Sequence, residues 1–386
     1  MPQSLPPNRH ILHLALHEFY VAIERQQDQR LADRPLLITG LGARHVVLAC
    51  SEEARRQGVR VGMPLRQAQL RCPWAATLRS DLTRYTEVSQ QVATLIRAET
   101  PLSEAAAIDA FFVDLSGMDR FFGVNDVART LGQRVRTATG LPLRLGLGPN
   151  KLLARIASGE ARPGRLRIID AEDVPEVLAG LSLRKLPGVG AAMAQQLQQL
   201  GLRRIGDLQR IPRLVLVQTF GTLGQQLYQH AQGQDEAPVQ PDLAERCLRR
   251  ETTFAPDTDD PALLQRRLTH QVEQLGFDLR QMGLLTACLT LRLRYSDGES
   301  LQRQARIPFC ASDELLMEQA RVLLRKLHHR RVRVRQLVLT ANELIPGQPQ
   351  LMLFQSQARQ VELYQALDAI KARFGAQGVQ RASGLS

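Results

Sequence analysis

The chain has 386 residues, 44% hydrophobic and 23% charged, enough to bury several cores and to make two to four domains. Lys and Arg number 50 against 38 Asp and Glu, a formal charge of +12 with arginine predominating, which points to a polyanionic partner such as nucleic acid. Cys50, Cys72, Cys247, Cys288 and Cys310 form no CxxC pair, which argues against a disulfide framework and a structural zinc site. The start MPQSLPPNRH has no apolar signal core and no stretch is apolar enough for a bilayer, so the cytoplasm is the expected compartment.

In chain order, LHLALHEFYVAIE at 12–24 predicts a strand over 11–16 running into a helix near Phe19. A small unit over 29–73 carries RPLLITG, VVLAC and EARRQGVRVGMPLRQAQLRCP. A helical pattern over 88–98 leads into AIDAFFVDLSG at 107–117, and LRLGLGPNKLLARIASGEARPG follows at 143–164. In LRKLPGVGAAMAQQLQQLGLRRIGDLQRIP, at 183–212, Met193, Leu197 and Leu200 repeat at helical spacing before the stop at Gly201. Ile205, Leu208 and Ile211 mark a second helix ended by Pro212. A PGVG turn opening such a pair is a helix-hairpin-helix signature. Gly188 and Gly190 let the backbone approach a phosphate, and Lys185 stands beside them. That element reads backbone rather than base sequence.

The polar stretch GQDEAPVQPDLAE (233–245) predicts a linker. Beyond it a βαββαβ succession predicts a ferredoxin-like unit with helices on one sheet face. Arg292 and Arg294 alternate with Leu289, Leu291 and Leu293. Arg331, Arg333 and Arg335 alternate with Val332 and Val334, so period-two arginine stripes are expected on the open face. QLMLF at 350–354 and a helix over 361–374 close the chain.

These motifs resemble the Y-family (translesion, DinB/UmuC-like) DNA polymerases. The resemblance runs from Ile11 to the end and implies an α+β right-hand fold: palm at 1–28 and 74–170, fingers at 29–73, a helix-hairpin-helix thumb at 171–236, linker at 237–245, a ferredoxin-like little finger at 246–343 and a tail at 344–386. In the family the first motif reads roughly hHhDhDxFFAxVE and the second SIDEAYLD. Here Ala15 stands where the first metal-binding Asp belongs, Ala110 where the Glu belongs and His17 where the second Asp belongs. Asp109 is the family metal carboxylate that remains. Nucleotidyl transfer clamps its attacking and leaving oxygens with two Mg²⁺ ions held by carboxylate oxygens, and imidazole suits zinc or copper better. Loss of several kcal/mol of that stabilisation lowers a rate by roughly three orders of magnitude.

The resemblance assigns nucleotide binding to Arg55, Arg162 and the steric-gate residue Tyr20, for which core packing is an equal reading. The family's Tyr before that Arg is Glu52 here, either a carboxylate that repels a triphosphate or a solvated helix-end acid. QLMLF resembles the bacterial sliding-clamp peptide, with Gln350, Leu351, Leu353 and Phe354 as its anchors; packing on the little finger is the other reading. Acids lost while DNA-gripping parts persist is a pattern similar to ImuB-type proteins. It implies a non-catalytic DNA-binding protein of damage tolerance and the SOS response that needs no cofactor and partners primer-template DNA, the sliding clamp and other repair or polymerase subunits. Two alternatives stand beside it. An active low-fidelity Mg²⁺ polymerase would use Glu18, Glu104 or Asp114 as substitute ligands. A nuclease or glycosylase on the hairpin would need its own acidic cluster or a catalytic Lys beside it, a place where Lys185 stands with phosphate contact as its other reading.

Overall fold

The computed structural model describes residues 9–40, 45–100, 102–118, 123–240, 247–347, 356–374 and 379, which fall into two compact units that divide near residue 242. The first begins with β1 (Ile11–Leu16) and α1 (Phe19–Gln27). It continues through β2 (Leu36–Thr39), β3 (Val47–Cys50), α2 (Glu52–Arg56), α3 (Leu65–Arg71) and β4 (Ala76–Arg79). Next come α4 (Leu82–Glu99), β5 (Ser103–Ala107), β6 (Ala110–Asp114), α5 (Val124–Thr139), β7 (Leu143–Gly148), α6 (Lys151–Glu160) and β8 (Leu166–Ile168).

These strands make a five-stranded sheet in the order β5-β6-β1-β7-β8 and a three-stranded sheet in the order β3-β2-β4. Side-chain alternation divides the larger sheet into two faces. Leu12, Leu14, Leu16, Phe111, Val113, Leu143, Leu145 and Leu147 point to one face and pack on α1, α4 and α5 through Phe19, Tyr85, Val92, Ile96, Leu131 and Val135. The opposite face carries His13, Phe112 and Gly146 in one cross-strand row, and α6 lies on that row. Gly146 makes the close approach feasible, since a Cβ there would sit 2.1 Å from the Ser158 nitrogen. In the smaller sheet Leu37, Val47 and Cys50 pack on Ala54, Val59, Ala68 and Cys72. Val21 of α1 joins Leu36 and Ile38 in a further cluster.

The helical part comprises α7 (Val174–Ala179), α8 (Ala191–Gln199), α9 (Ile205–Gln209), α10 (Arg213–Phe220) and α11 (Thr222–Ala231), closed around Leu197, Ile205, Leu208, Leu216 and Leu227. The start of the expected linker is docked. Asp235 accepts the Leu152 N–H at the head of α6 (3.0 Å), Glu104 accepts the Gln240 N–H (2.8 Å) and Val239 is buried beside Phe112. Its polar residues carry no periodicity because they satisfy one helix end and one side chain.

The second unit contains β9 (Cys247–Thr258), α12 (Pro261–Gln281), β10 (Leu284–Tyr295), β11 (Ser300–Cys310), α13 (Asp313–Leu327), β12 (Val334–Pro346) and α14 (Ser356–Phe374). The βαββαβ succession folds into an antiparallel sheet of order β11-β10-β12-β9, so each βαβ crossover straddles a strand of the other, with the second and fourth strands central where a ferredoxin-like sheet has the first and third. Leu289, Leu291, Leu293, Leu337 and Leu339 face α12 and α13 through Leu268, Val272, Leu275, Leu316 and Leu323.

Candidate functional site

Along β1, the row after His13 places Ala15 between Ala110 of β6 and Arg144 of β7. Directly paired residues of antiparallel strands share a face, so two methyl groups stand where the family has carboxylates, with one guanidinium beside them. Asp109 precedes β6 and its carbonyl accepts the Leu16 N–H (2.8 Å), which fixes the turn. Burial pushes its carboxyl above the ordinary Asp value, and the nearby Arg155 pulls it back. Tyr20 lies within reach of Asp109, since burial first and that carboxylate second raise its phenol. The Tyr20 ring also packs edge-on against Phe19 (5.3 Å) and Tyr85 (4.8 Å), so packing and cleft placement coexist.

His17 is held below the ordinary His value by burial, then by Arg144 and Arg55, with Glu52 opposing. Glu52 opens α2 and its carboxylate pairs with Arg55 (2.9 Å) and Arg56 (3.6 Å). Arg55 also donates to the Cys50 carbonyl (3.3 Å). Arg162 lies exposed in the turn after α6.

Of the candidate substitute acids, Glu104 and Asp114 are occupied elsewhere, while one carboxylate oxygen of Glu18 is buried without a hydrogen-bond partner among the described residues. Glu104 binds the Lys151 ammonium at 2.7 and 2.8 Å. Asp114 accepts the Ser116 N–H (2.9 Å) and pairs with Ile11 at the other end of β6, roughly 13 Å from Ala110 at strand rise. Glu18 sits at the start of α1 in the left-handed region (φ 51°), takes a hydrogen bond from the Glu52 N–H and lies 4.0 Å from Arg25. Among the described residues no three His, Cys, Asp or Glu side chains gather into a group that could hold a metal ion. Asp109 is the one family carboxylate left beside Ala15 and Ala110, the neighbouring Glu18 and Glu52 share their surroundings with Arg55, and imidazole is a poor Mg²⁺ ligand. The donors present therefore do not fit a Mg²⁺ pair.

Arg144 and Arg155 escape a motif-by-motif reading. Arg144 becomes meaningful through its register with Ala15, and Arg155 because α6 folds back over the sheet. The periodicity of LRLGLG, with Arg144 on the face opposite the leucines, is the one sequence signal that could have found the first.

In the helical part, Gly188 has φ 88° and nothing crowds its Cβ position within 3.6 Å, so conformation rather than space requires glycine there. Gly190 precedes α8, whose N-terminus has no side-chain cap. Lys185 pairs with Glu160 (2.7 Å). Asp207 accepts the N–H groups of Arg203 and Arg204 (2.8 Å each) and fixes the turn into α9.

In the second unit, Arg292 and Arg294 lie on the sheet face away from the helices, opposite Gln302 and Ser300. The stripe expected at 331–335 is corrected. Arg331 and Arg333 precede β12, and Arg335 falls where the register shifts between Val334 and Gln336. Its guanidinium is held by Asp257 (3.2 Å) and the Ser296 carbonyl (3.0 Å), because a bulge breaks the period-two alternation. Gln350, Leu351, Leu353 and Phe354 lie outside the described residues.

A palm-like sheet, a small finger sheet, a hairpin of short helices and a separate α/β unit are the parts that Y-family polymerases combine. Residues 14–159 match the impB/mucB/samB family, residues 247–353 its C-terminal domain, and residues 184–235 the DNA polymerase-iota thumb domain. The chain is 34% identical over 302 residues to DNA polymerase IV of Halorhodospira halophila, covering 78% of this chain and 85% of that protein. It is 37% identical over 269 residues to DNA polymerase IV of Stenotrophomonas maltophilia, covering 69% and 72%. A Y-family DNA polymerase chimera of Dbh and Dpo4 shares the fold with a TM-score of 0.77 at 22% identity, over 87% of this chain and 99% of that one. The chain belongs to the DinB/UmuC-like Y family of DNA polymerases. No helix among its described residues is long and apolar enough to cross a membrane.

Proposed function

We propose that this chain is a DNA-binding, non-catalytic member of its family, similar to ImuB-type proteins, that acts in translesion synthesis and damage tolerance in the cytoplasm. The observation that carries the reading is the Ala110, Ala15, Arg144 row, in which two methyl groups stand in place of acids near Asp109 and an arginine lies beside them. Two Mg²⁺ ions brought there would meet repulsion from arginines instead of neutralisation by carboxylates. Relatives named DNA polymerase IV support a DNA substrate, and an overall charge of +12 supports a polyanionic one.

In this reading the backbone at Gly188 and Gly190, the half-buried Arg292 and the exposed Arg294 grip primer-template phosphates, with Lys185, Arg331 and Arg333 adding charge. The 350–354 segment docks on the sliding clamp, and other repair or polymerase subunits supply the synthesis. The test is a primer-extension assay with Mg²⁺ and deoxynucleotides beside a binding assay on the same primer-template. Salt-sensitive binding without extension is expected. Extension that stops in Asp109→Asn would overturn the reading in favour of an active low-fidelity polymerase.

A further inference from the structure

We infer that the outer face of α3 and the turn after it form a docking surface for an acidic, apolar segment of a partner protein, anchored on Leu70 and Trp74 and flanked by arginines. Such a surface deepens the proposed function, because a chain that leaves synthesis to other subunits needs a place to hold one, and the partner's role in synthesis rests on that reading.

The surface follows from the layering of the fingers. Leu37, Val47 and Cys50 turn one face of the β3-β2-β4 sheet towards α2 and α3, while Leu36 and Ile38 turn the other towards Val21 of α1. α3 buries Ala68 on the first face, so its outward side is the outermost layer of the fingers, across the sheet from α1. The water-facing side of a surface helix is ordinarily polar. Here it carries Leu70, 77% exposed. Four residues later, in the turn closed by the Ala75 N–H on the Cys72 carbonyl (3.1 Å), comes Trp74, 59% exposed. Arg71 donates to the Gly58 carbonyl (2.6 Å) and so ties to the end of α3 the loop that carries Val61, itself 63% exposed. Single apolar side chains in water are ordinary, but a Leu and the chain's one Trp exposed within four residues make a patch.

The second feature is charge. From Ala54 to Ser80 the chain has six arginines and no Asp or Glu. Over the whole of 29–80, nine arginines stand against Asp33, Glu52 and Glu53. Both glutamates belong to α2, where Glu52 is held by Arg55 (2.9 Å) and Arg56 (3.6 Å) and Glu53 by Arg25 (3.0 Å). Arg60, Arg66, Arg71 and Arg79 are exposed and form no ion pair with a described residue. Arg66 precedes Leu70 by one helical turn and shares its side of α3. A partner that covers Leu70 and Trp74 therefore brings its own rim among guanidiniums, and carboxylates on that rim complement them.

Single-stranded nucleic acid is the other polyanion with apolar faces, and the side chains favour protein. Strands are held by successive aromatic rings on which bases stack, whereas Trp74 is the one Phe, Tyr or Trp between Gln29 and Ser80 and Leu70 offers no stacking face. Trp and Arg together are the residues that dominate protein–protein anchors.

Trp74, as the one tryptophan of the chain, reports its own burial. The full chain is titrated with a synthetic helical peptide that carries leucines along one face between glutamates, with the same peptide carrying lysines in place of the glutamates, and with an oligothymidylate. The acidic peptide should shift the Trp74 emission to the blue, protect it from acrylamide and bind less tightly as salt rises. Its affinity, read from the anisotropy of a labelled peptide, should fall about tenfold or more in Leu70→Ser and in Arg66→Glu. Both positions are exposed, and circular dichroism of the two variants establishes that they are folded. Absence of binding by the acidic peptide, equal binding of the lysine peptide, or parent-like affinity in both variants overturns the inference. Protection of Trp74 by the oligothymidylate and not by the acidic peptide assigns the surface to single-stranded DNA and overturns it as well. Primer-template affinity and primer extension, measured separately, report on the proposed function, so the two can fail independently.

Discussion

His13 Nδ1 lies 2.6 Å from Ser158 Oγ, tying β1 to α6 directly beneath the cleft row. The Ser158 hydroxyl donates to the Arg155 carbonyl (2.9 Å), so its oxygen is left to accept from the Nδ1–H of a neutral imidazole. Burial, and secondarily Arg155, lower the His13 pKa from 6.5 to about 3. The unfolded chain therefore binds a proton near pH 6.5 that the folded one refuses until about pH 3. Stability from this residue is complete above pH 6.5 and is lost as pH falls towards 3. Urea unfolding across that range should show the loss in the parent protein and a flatter profile in His13→Gln. Ser158→Ala should cost about 1–3 kcal/mol at neutral pH by orphaning a buried donor.

Restoring the acids tests the electrostatic reading from the other side. Ala15→Asp combined with Ala110→Glu brings three carboxylates together, counting Asp109, beside Arg144 and Arg155, and so supplies oxygen ligands that the parent lacks. Mn²⁺ should then raise the melting temperature of this variant while leaving the parent unchanged. Equal responses of the two proteins to Mn²⁺ would contradict the account.

The bulge at Arg335 separates two kinds of arginine. Arg335→Ala removes a cation from beside the half-buried Asp257 and should lower stability with little change in DNA affinity. Arg292→Ala with Arg294→Ala should leave the melting temperature within a degree or two but weaken DNA binding. The slope of log K against log salt should fall by about 0.9 for each DNA phosphate that the variant no longer neutralises. Fluorescence anisotropy at several salt concentrations measures both affinity and slope.

Arg280 anchors α14 to the two other helices of the second unit. Arg280 of α12 donates to Asp368 of α14 (2.7 and 2.9 Å) and to Asp313 of α13 (2.7 Å), and it stacks on the Tyr364 ring (4.5 Å). The two buried carboxylates hold its guanidinium well above the usual range, against the opposing effect of burial. Arg280→Ala takes away the cation that both acids share and should destabilise the second unit by about 3–5 kcal/mol. Limited proteolysis should then cut within α14 at a protease concentration that spares the parent.

Much of this protein was legible from its letters alone. Helical spacing at Met193, Leu197 and Leu200, the glycines of PGVG and the βαββαβ succession are local patterns, set by backbone sterics and by which face of an element must be buried. The substitutions at Ala15 and Ala110 are equally plain, because a motif is a fixed spacing along one strand.

What the spacing could not supply is who stands beside whom across strands. Arg144 is 129 residues from Ala15 and becomes its neighbour through the β1–β7 register. Glu104 is removed from the set of free acids by Lys151, 47 residues away. Arg335 looked like one of a stripe until a bulge turned it towards Asp257. Charges act through space at distances of a few ångströms, so the sign of the potential in the cleft was decided by tertiary register, while the sequence determined only which charges were present.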